Sequence, residues 1–282
     1  MPHVLTIDFE GWAQKTHRIV TGEVRPLGAE ALERQTDRWL DLLARRGVRA
    51  TFFVLGMTAE AWPHLVERIR DAGHELGVHG YAHDRVDEAS PAAFRADVAR
   101  ALEIVTSLAG RRPQGFRAAE FSIGRSSLYA LDALADLGFT YDSSIFPIAH
   151  RRYGIPNWPR TPSRVAGGRL VELPLATVGL GPLRVPVAGG GYWRVLPERA
   201  IQAALDGLAR AGESAVLYFH PVEMAIERPT LDVAALPFPQ RAHAERLRWR
   251  QTPLLGGVAA KLEAVLPRFD WMTAADLAAS VA

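Results

Sequence analysis

Short apolar runs alternate with longer amphipathic segments through the first half of this chain, and this alternation constrains the fold most. Buried strands are predicted by the runs at 4–7, 50–55, 75–79, 115–117 and 139–142. Helices are predicted by the apolar spacing over 29–46, 58–73, 91–108 and 126–137. A strand followed by a helix, repeated about four times, predicts an α/β fold with a parallel sheet. No G-x-G-x-x-G fingerprint follows the first strand, which favours a barrel over a dinucleotide-binding sheet.

The segment over 145–191 breaks this regularity, because it is rich in Pro, Gly and Arg and has only short β-like pieces. A helix is expected again over 197–211, a strand over 215–220, and a late helix over 241–266 that breaks near Gly256 and Gly257. We interpret 145–191 as an irregular excursion at the mouth of the barrel. The chain, 1–282, is then expected to form a single domain.

The charge balance and the absence of cysteine exclude several classes of function. The 33 Lys and Arg residues nearly cancel the 31 Asp and Glu residues, so no nucleic-acid partner is expected. With no Cys, a disulfide scaffold, a thiolate metal site and a cysteine nucleophile are excluded. No apolar run is long enough to span a membrane. A strand begins directly after Met1, which leaves no room for a signal peptide and predicts a cytoplasmic protein. The sequence leaves the oligomeric state unknown.

Ionisable side chains follow or end five of the expected strands, where a parallel barrel places its active site. These side chains are Asp8 and Glu10, His79, Arg117, Asp142 and His220. Five strands that deliver such groups to one end predict a catalytic site there.

Two of these segments have the spacing of metal ligands. Asp8 and Glu10 are two positions apart, so an extended strand directs both to the same face. His79 and His83 are four apart and reach one ion if the turn between them is helical. Alone, either pair is more often structural or solvated. Together they offer two nitrogens and one or two oxygens, a ligand set that suits Zn²⁺ or another borderline divalent ion.

Such a site has a coherent hydrolytic chemistry. A two-His, one-carboxylate site leaves a coordination position for water, and a second carboxylate beside it can take a proton. Arg117 could hold that carboxylate ionised, and His220 is available to protonate a leaving group. Considered alone, Arg117 is explained as well by a surface salt bridge as by this role. The same holds for His220 as a histidine packed in the core.

Several other motifs carry weaker signals. The six remaining histidines are expected to be structural or solvated: His3, His17, His64, His74, His150 and His243. Gly189–Trp193 lacks the Lys of a phosphate loop, and a turn that presents aromatic rings to a sugar is the alternative to a plain turn. The Arg-rich stretch 241–250 is interpreted as a solvated helix face in preference to an anion site.

Five ordered motifs carry a resemblance to a known family. They are Thr6-Ile7-Asp8-Phe9-Glu10, His79-Gly80-Tyr81-Ala82-His83, the segment 115–122, Tyr141-Asp142-Ser143-Ser144 and Leu217-Tyr218-Phe219-His220-Pro221. In this set the chain resembles the NodB-type polysaccharide deacetylases, carbohydrate esterase family 4. With the stretches 188–192 and 245–249 it resembles more narrowly the branch found with exopolysaccharide and exosortase gene clusters.

The resemblance implies a fold, a cofactor and a set of roles. The fold would be a distorted, TIM-like (β/α) barrel with about seven parallel strands. One divalent ion would be bound, with Zn²⁺ expected and Co²⁺, Ni²⁺ or Fe²⁺ as alternatives. The implied roles are these: Asp8 as catalytic base, Arg117 as its orienting partner, His220 as general acid tuned by Asp142, Glu10, His79 and His83 as metal ligands, and Glu120, Phe121 and Tyr192 as substrate-binding residues.

Two positions depart from the family pattern. The usual adjacent Asp-Asp is replaced by Asp8-Phe9-Glu10, so Asp8 is a second candidate metal ligand. The third motif has Ala119 and Glu120 where a proline commonly follows Arg-Ala. This change affects the loop near Glu120 and Phe121, which is expected to offer a backbone N–H to an oxyanion.

These observations predict a metal-dependent N-deacetylase that acts on an N-acetylated carbohydrate, within a polysaccharide or its precursor. Two alternatives stay open. One is a hydrolase of a small amide or formamide on the same scaffold, which predicts a closed pocket instead of a groove. The other is a catalytically silent carbohydrate-binding barrel, which has no use for a general acid beside a metal.

Overall fold

A computed structural model describes residues 1–181 and 183–281 of the chain. The strands are β1 His3–Phe9, β2 Thr51–Val54, β3 Glu75–Val78, β4 Gly115–Phe116, β5 Tyr141–Asp142, β6 Ser163–Val165, β7 Leu170–Glu172, β8 Thr177–Leu180, β9 Leu183–Pro186, β10 Val216–Phe219 and β11 Trp271–Met272. The helices are α1 Trp12–Thr21, α2 Ala29–Arg46, α3 Gly56–Ala61, α4 Pro63–Asp71, α5 Pro91–Ala109, α6 Tyr129–Asp136, α7 Gly190–Val195, α8 Glu198–Arg210, α9 Phe238–Gln251, α10 Gly256–Val265 and α11 Ala274–Ala279.

One curled sheet organises the molecule, with strand order β10-β1-β2-β3-β4-β5-β7-β6. All neighbours in this order are parallel except β6, which runs antiparallel to β7, and β11 pairs in parallel with the start of β1. The prediction of an α/β fold with about seven parallel strands is confirmed. The sheet is a half-barrel, because across 1–181 and 183–281 no strand pair joins β10 to β6 or β7.

Backbone hydrogen bonds partly cover the open side of this half-barrel. The N–H of Ala176, just beyond β7, donates to Val216 O of β10 at 3.0 Å. The N–H of Tyr218 donates to Ala188 O at 2.8 Å on the same edge of β10. Irregular chain therefore bridges the gap that an eighth strand closes in a complete barrel.

The helices end where the sequence predicts, with two instructive exceptions. Helix α2 lies between Gly28 and Gly47, both in the left-handed region, and Ser90 caps α5 by accepting the N–H of Ala93. The helix predicted over 58–73 is split into α3 and α4, because Pro63 cannot donate to the preceding turn. The late helix breaks earlier than expected, over 252–255, and not at the glycine pair.

The segment 145–191 contains more regular structure than the sequence indicated. It supplies β6 and β7 to the sheet, the separate antiparallel hairpin β8–β9, and the beginning of α7. Strand β7 pairs with β5 in the register Asp142↔Glu172. The organisation of 1–282 as a single domain stays a prediction.

One hydrophobic cluster runs from Val4 to Ala278 and lies between the sheet and its helices. Its largest fully buried side chains include Trp39 from α2 and Trp193 from α7. Among the residues that the structure describes, no helix combines the length and apolarity needed to cross a bilayer.

Candidate active site

The carboxyl ends of β1 and β3 bring three ligand groups together. Glu10 follows β1, His79 follows β3, and His83 lies in the loop beyond. Each of the three is less than 9% exposed, and one ligand atom from each lies within 4.8 Å of the others. The spacing of the carboxylates and of the histidines therefore predicted a real cluster. Asp8 is also buried, but it is not part of this group of three.

The loop between the two histidines is not helical, which corrects the geometry expected from their spacing. Gly80 and His83 both have left-handed backbone, with φ of 74° and 61°. The carboxylate of Asp97 accepts the backbone N–H groups of Tyr81 and Ala82 at 2.8 and 3.0 Å and so fixes the turn. A non-glycine residue rarely adopts a positive φ, and such strain concentrates at functional sites.

The unsatisfied atoms of this cluster fit a metal ion. His83 Nε2 and Glu10 Oε2 are 2.8 Å apart, yet both are buried and neither has a hydrogen-bond partner among the described residues. His79 Nδ1 is 2.8 Å from Arg117 O, which leaves Nε2 as its ligand atom. Burial lowers the pKa of His79 to about 4, so its imidazole is neutral at pH 7. Two imidazole nitrogens and one carboxylate oxygen form a donor set for a divalent ion.

A fully buried ion pair lies beside this cluster. Arg117 Nη1 donates to Asp8 Oδ1 at 2.8 Å, and Arg117 Nε and Nη2 donate to the carbonyl and hydroxyl oxygens of Ser143, each at 2.8 Å. Burial raises the pKa of Asp8, but the charge and hydrogen bond of Arg117, together with smaller contributions from His79 and His220, outweigh burial and hold this pKa below its usual value. Asp8 is therefore an ionised carboxylate with a fixed orientation, as expected.

His220 reaches the same site from β10, the strand next to β1. Its Nε2 is 3.5 Å from Glu10 Oε1, and its side chain is 25% exposed. Burial lowers the pKa of His220, and the nearby carboxylate of Glu223 raises it, because Glu223 Oε2 lies 3.6 Å from Nδ1. The raising effects outweigh burial. The resulting pKa is above the usual value, which favours the protonated imidazolium.

Glu223 is a site residue that the sequence reasoning missed. Besides facing His220 Nδ1, it accepts the backbone N–H of His220 at 2.5 Å and an N–H of Arg194 at 2.9 Å. A signal was present, since a Pro at the first position and a Glu at the third position of the turn after His220 form a capping pattern.

In the part of the chain that the structure describes, no hydrogen bond or ion pair joins Asp142 to His220, so its expected tuning role stays a prediction. Its Oδ1 accepts the hydroxyl of Ser144 at 2.6 Å, and β5–β7 pairing places it opposite Glu172. Burial raises the pKa values of both carboxyl groups, that of Glu172 well above its usual range. The pair therefore holds a proton and supports the sheet behind Arg117. It is Glu223 that lies beside His220 Nδ1.

Lys15 is a second missed residue. Its ammonium group donates to Glu10 Oε1 at 2.9 Å from helix α1, which the sequence pattern did not predict. Burial raises the pKa of Glu10, but the charges of His83 and Lys15 reverse this and hold it well below its usual range. Oε1 of Glu10 is therefore paired with the ammonium group of Lys15, and Oε2 faces His83.

The third motif, which departs from the family pattern, forms a strained loop whose polar groups are used within the protein. Glu120 and Phe121 both have φ of 54°. Glu120 Oε2 accepts hydrogen bonds from Arg85 at 2.7 Å and from Arg152 at 2.5 Å. The N–H of Phe121 donates to Ala118 O at 3.2 Å, so it is not free for an oxyanion. The substrate-binding roles of Glu120 and Phe121 stay predictions.

In the glycine stretch before Tyr192, the backbone packs closely against the side chains of Tyr218 and Glu223. A Cβ on Gly189 would lie 2.4 Å from the ring of Tyr218, and a Cβ on Gly190 would lie 2.5 Å from Glu223 Oε1. Tyr192 is half-buried with its hydroxyl 3.2 Å from that of Tyr153, while Trp193 is in the core. Of the two aromatic residues, only Tyr192 can meet a ligand, and its sugar-binding role stays a prediction.

Two family models match consecutive parts of the chain. Residues 27–141 match Polysaccharide deacetylase, and residues 143–279 match Domain of unknown function (DUF3473). The first region contains His79, His83 and Arg117, and the second contains His220. Asp8 and Glu10 precede both. The site therefore joins residues from both matched regions and from the segment before them.

Curated relatives share part of this sequence. A peptidoglycan-N-acetylglucosamine deacetylase from Bacillus cereus is 38% identical over 82 residues, 29% of this chain and 30% of the relative. A peptidoglycan deacetylase from Helicobacter pylori is 32% identical over 110 residues, 38% of this chain and 36% of the relative. The chain thus matches about a third of the length of these relatives.

Solved structures share the fold over nearly the whole chain. The Bc1960 peptidoglycan N-acetylglucosamine deacetylase has a TM-score of 0.54 at 17% identity and covers 98% of this chain and 87% of its own. A CE4 family pseudoenzyme from Bacillus anthracis has a TM-score of 0.52 at 12% identity and covers 98% of this chain and 65% of its own. These likenesses establish the fold, and an enzyme and a pseudoenzyme share it. Residues 27–141 are therefore similar to the polysaccharide deacetylases, and the region that matches DUF3473 contains His220.

Proposed function

We propose that this chain is a metal-dependent hydrolase that removes N-acetyl groups from amino sugars of a polysaccharide or its precursor. One observation carries the proposal: the Glu10, His79 and His83 cluster has His220 3.5 Å from Glu10, and the Arg117 that pairs with Asp8 also contacts His79 through its carbonyl. Amide hydrolysis needs a proton acceptor for water and a proton donor for the departing amine, and this arrangement provides both.

Glu10, His79 and His83 would hold the divalent ion, and Zn²⁺ is the ion we propose. A cation bound there lowers the pKa of water and polarises a carbonyl group. Lys15 and Arg117 position two of these ligands. The ammonium group of Lys15 donates to one oxygen of Glu10, and the backbone carbonyl of Arg117 orients the imidazole of His79.

The chain's own residues move the protons. Asp8 accepts a proton from water as the water oxygen bonds to the acetyl carbon, and Arg117 keeps Asp8 ionised and aligned. His220 then donates a proton to the amide nitrogen as the C–N bond breaks, and Glu223 orients the imidazole. Water and the acetamide group are consumed, and acetate and a free amine are formed.

Two cavities at the site support a carbohydrate substrate in preference to a small amide. One of about 600 Å³ is lined by Lys15, His83 and Glu120, and one of about 310 Å³ is lined by Lys15, Glu10 and His220. Because Lys15 borders both, the metal cluster lies between two spaces that could each take a sugar unit. A hydrolase of a small amide requires only one.

The decisive experiment measures acetate release from N-acetylated chitooligosaccharides, with metal content determined on the same samples. We expect activity to be lost on chelation and restored by Zn²⁺ or Co²⁺. Asp8→Asn should lower kcat by about 10²–10⁴-fold with metal content unchanged. Asp41→Asn, on the exposed face of α2, is the matched control and should leave both readouts unchanged.

Two other outcomes would contradict the proposal. A tightly bound metal without acetate release from any N-acetylated sugar would indicate a different amide substrate. Failure to bind a metal at all would leave a silent carbohydrate-binding barrel as the function, consistent with the pseudoenzyme that has this fold.

A further inference from the structure

The 310 Å³ cavity adjoins the metal cluster on the side of His220, and most of its lining residues have no part in the proposed proton transfers. Besides Glu10, His220 and Glu223, its lining residues are Trp12, Lys15, Arg194, Val222, Arg250 and Gln251. They come from α1, from α7, from the turn after β10 and from α9. We call this space the α7–α9 cavity.

The α7–α9 cavity has more positive than negative charge. Three cationic side chains line it, against the carboxylates of Glu10 and Glu223. Both carboxylates are already paired, Glu10 with Lys15 at 2.9 Å and Glu223 with Arg194 at 2.9 Å. Arg250 is exposed and makes no ion pair or hydrogen bond within residues 1–181 and 183–281. One guanidinium at the cavity therefore lacks a counter-charge.

Apart from Glu10 Oε2, which faces His83, the free polar groups at this cavity among the described residues are hydrogen-bond donors. Arg194 Nε is buried and has no partner in the described part of the chain, although Nη1 and Nη2 of the same group are bonded to Gln251 and Glu223. The side-chain oxygen of Gln251 accepts the indole N–H of Trp12 at 2.9 Å, which directs its amide donors elsewhere. Unused guanidinium and amide donors match an acceptor with several oxygens, such as a carboxylate or phosphate.

We propose that the α7–α9 cavity binds an anionic substituent, a carboxylate or a phosphate, of the carbohydrate substrate. This inference rests on the proposed function and specifies its substrate class as an acidic carbohydrate. Arg250 contacts the anion and Trp12 packs against the sugar ring that carries it. The acetamide group of that sugar or of its neighbour then lies at the metal cluster, because Glu10 and His220 border the same space.

The ordinary role for Arg250 makes a different prediction. It lies in the last turn of α9, where a cation is stabilised by the partial negative charge of the helix end. If that were its only role, its loss would lower stability slightly and would affect neutral and acidic substrates equally. A comparison of substrates therefore separates the two roles.

The experiment uses the metal-loaded full chain as wild type, Arg250→Gln and Arg246→Gln. Arg246 is exposed on the same helix and does not line the cavity, so Arg246→Gln is the matched control. Three substrates are compared by kcat/KM and by calorimetric binding: a neutral chitooligosaccharide, a heparosan oligosaccharide with alternating glucuronate, and UDP-N-acetylglucosamine. The last two distinguish a carboxylate from a phosphate.

We expect wild type to prefer one of the two anionic substrates, and added salt to reduce that preference. Arg250→Gln should lower the ratio of anionic to neutral kcat/KM by about tenfold or more, whereas Arg246→Gln should leave the ratio unchanged. An unchanged ratio in Arg250→Gln would overturn the anion site while leaving deacetylation intact.

If no substrate releases acetate, the proposed function fails, and calorimetry alone decides the site. Binding of an anionic compound that Arg250→Gln weakens would support the anion site. Equal binding by all three proteins, or no binding, would overturn it.

Discussion

The two ends of the same sheet contain buried glutamates with opposite surroundings. Glu75, at the amino end of β3, is 5% exposed, and Glu10, beyond the carboxyl end of β1, is 4% exposed. Glu75 accepts hydrogen bonds on both oxygens, from Thr51 at 2.6 Å, Tyr141 at 2.7 Å and the N–H of Ala275 at 3.1 Å. Glu10 uses one oxygen for Lys15, and its other oxygen has no hydrogen bond among the described residues.

Equal burial therefore does not mean an equal role. A buried polar group costs free energy unless it is paired, so a saturated carboxylate such as Glu75 is part of the structure. A buried carboxylate and imidazole that face each other without a hydrogen bond are retained at a cost to stability, and a bound cation removes that cost. We therefore interpret Glu75, at the amino end of the sheet, as a structural residue, and Glu10, at the carboxyl end, as part of the candidate metal site.

The largest effect is expected from removing the ligand charge at the carboxyl end. Glu10→Gln should lower metal affinity by more than about 100-fold and abolish acetate release, because the cation loses its only carboxylate ligand among the three. The free energy of unfolding of the metal-free protein should decrease, because Glu10→Gln also removes the 2.9 Å ion pair with Lys15. Metal analysis and urea unfolding measure these quantities, and full metal content in the variant would refute the assignment of Glu10.

The second prediction concerns the pH dependence of stability at the amino end. Burial lowers the pKa of His74 to about 4, whereas an unfolded His titrates near 6.5. The unfolded state therefore binds more protons as pH falls from about 6.5 to 4, and His74 contributes stability above this window that is lost within it. The loss should reach about 3 kcal/mol.

His74→Asn isolates this contribution, because Asn can still accept the N–H of Ala50 that His74 Nδ1 accepts at 3.3 Å. The variant should show a flatter dependence of unfolding free energy on pH between about 4 and 6.5. Urea unfolding across this range provides the measurement. Parallel curves for the two proteins would show that His74 is not held neutral.

The smallest effect is expected from Glu75→Gln. The amide nitrogen of Gln would face a hydroxyl of Tyr141 or Thr51 that donates to the carboxylate in the wild type, and one hydrogen bond would be lost. The free energy of unfolding should therefore fall by about 2 kcal/mol. Metal content and acetate release should stay at the wild-type level under conditions where the protein is folded. A loss of metal from this variant would break the contrast between the two ends of the sheet.

Much of the candidate site could be predicted because its residues lie at fixed positions relative to strand ends. A parallel sheet brings all carboxyl ends to one side, so Glu10, His79 and His83 meet once the strands are known. The same argument places Arg117 beside Asp8. Local patterns and topology are sufficient for this part.

The rest depends on register and on contacts between distant segments. Asp142 pairs with Glu172 because β7 joins β5 in a particular register, and the irregular sequence before β7 carries no signal for that register. Lys15 reaches Glu10 from a helix whose first residue has no side-chain cap and which lacks an acidic first turn. Tertiary packing, not local propensity, positions both.

The central position of β1 has a consequence for the order of folding. The hydroxyl group of Thr6 in β1 donates to Leu217 O at 2.7 Å, and the two residues are 211 positions apart in the sequence. The first residues of β1 also pair with β11. On the ribosome, this first strand therefore waits with one unpaired edge until almost the whole chain has emerged. The three proposed metal ligands are synthesised early, whereas His220, the proposed proton donor, is synthesised late. On the proposed function, the residues for metal binding therefore precede the residue that completes catalysis.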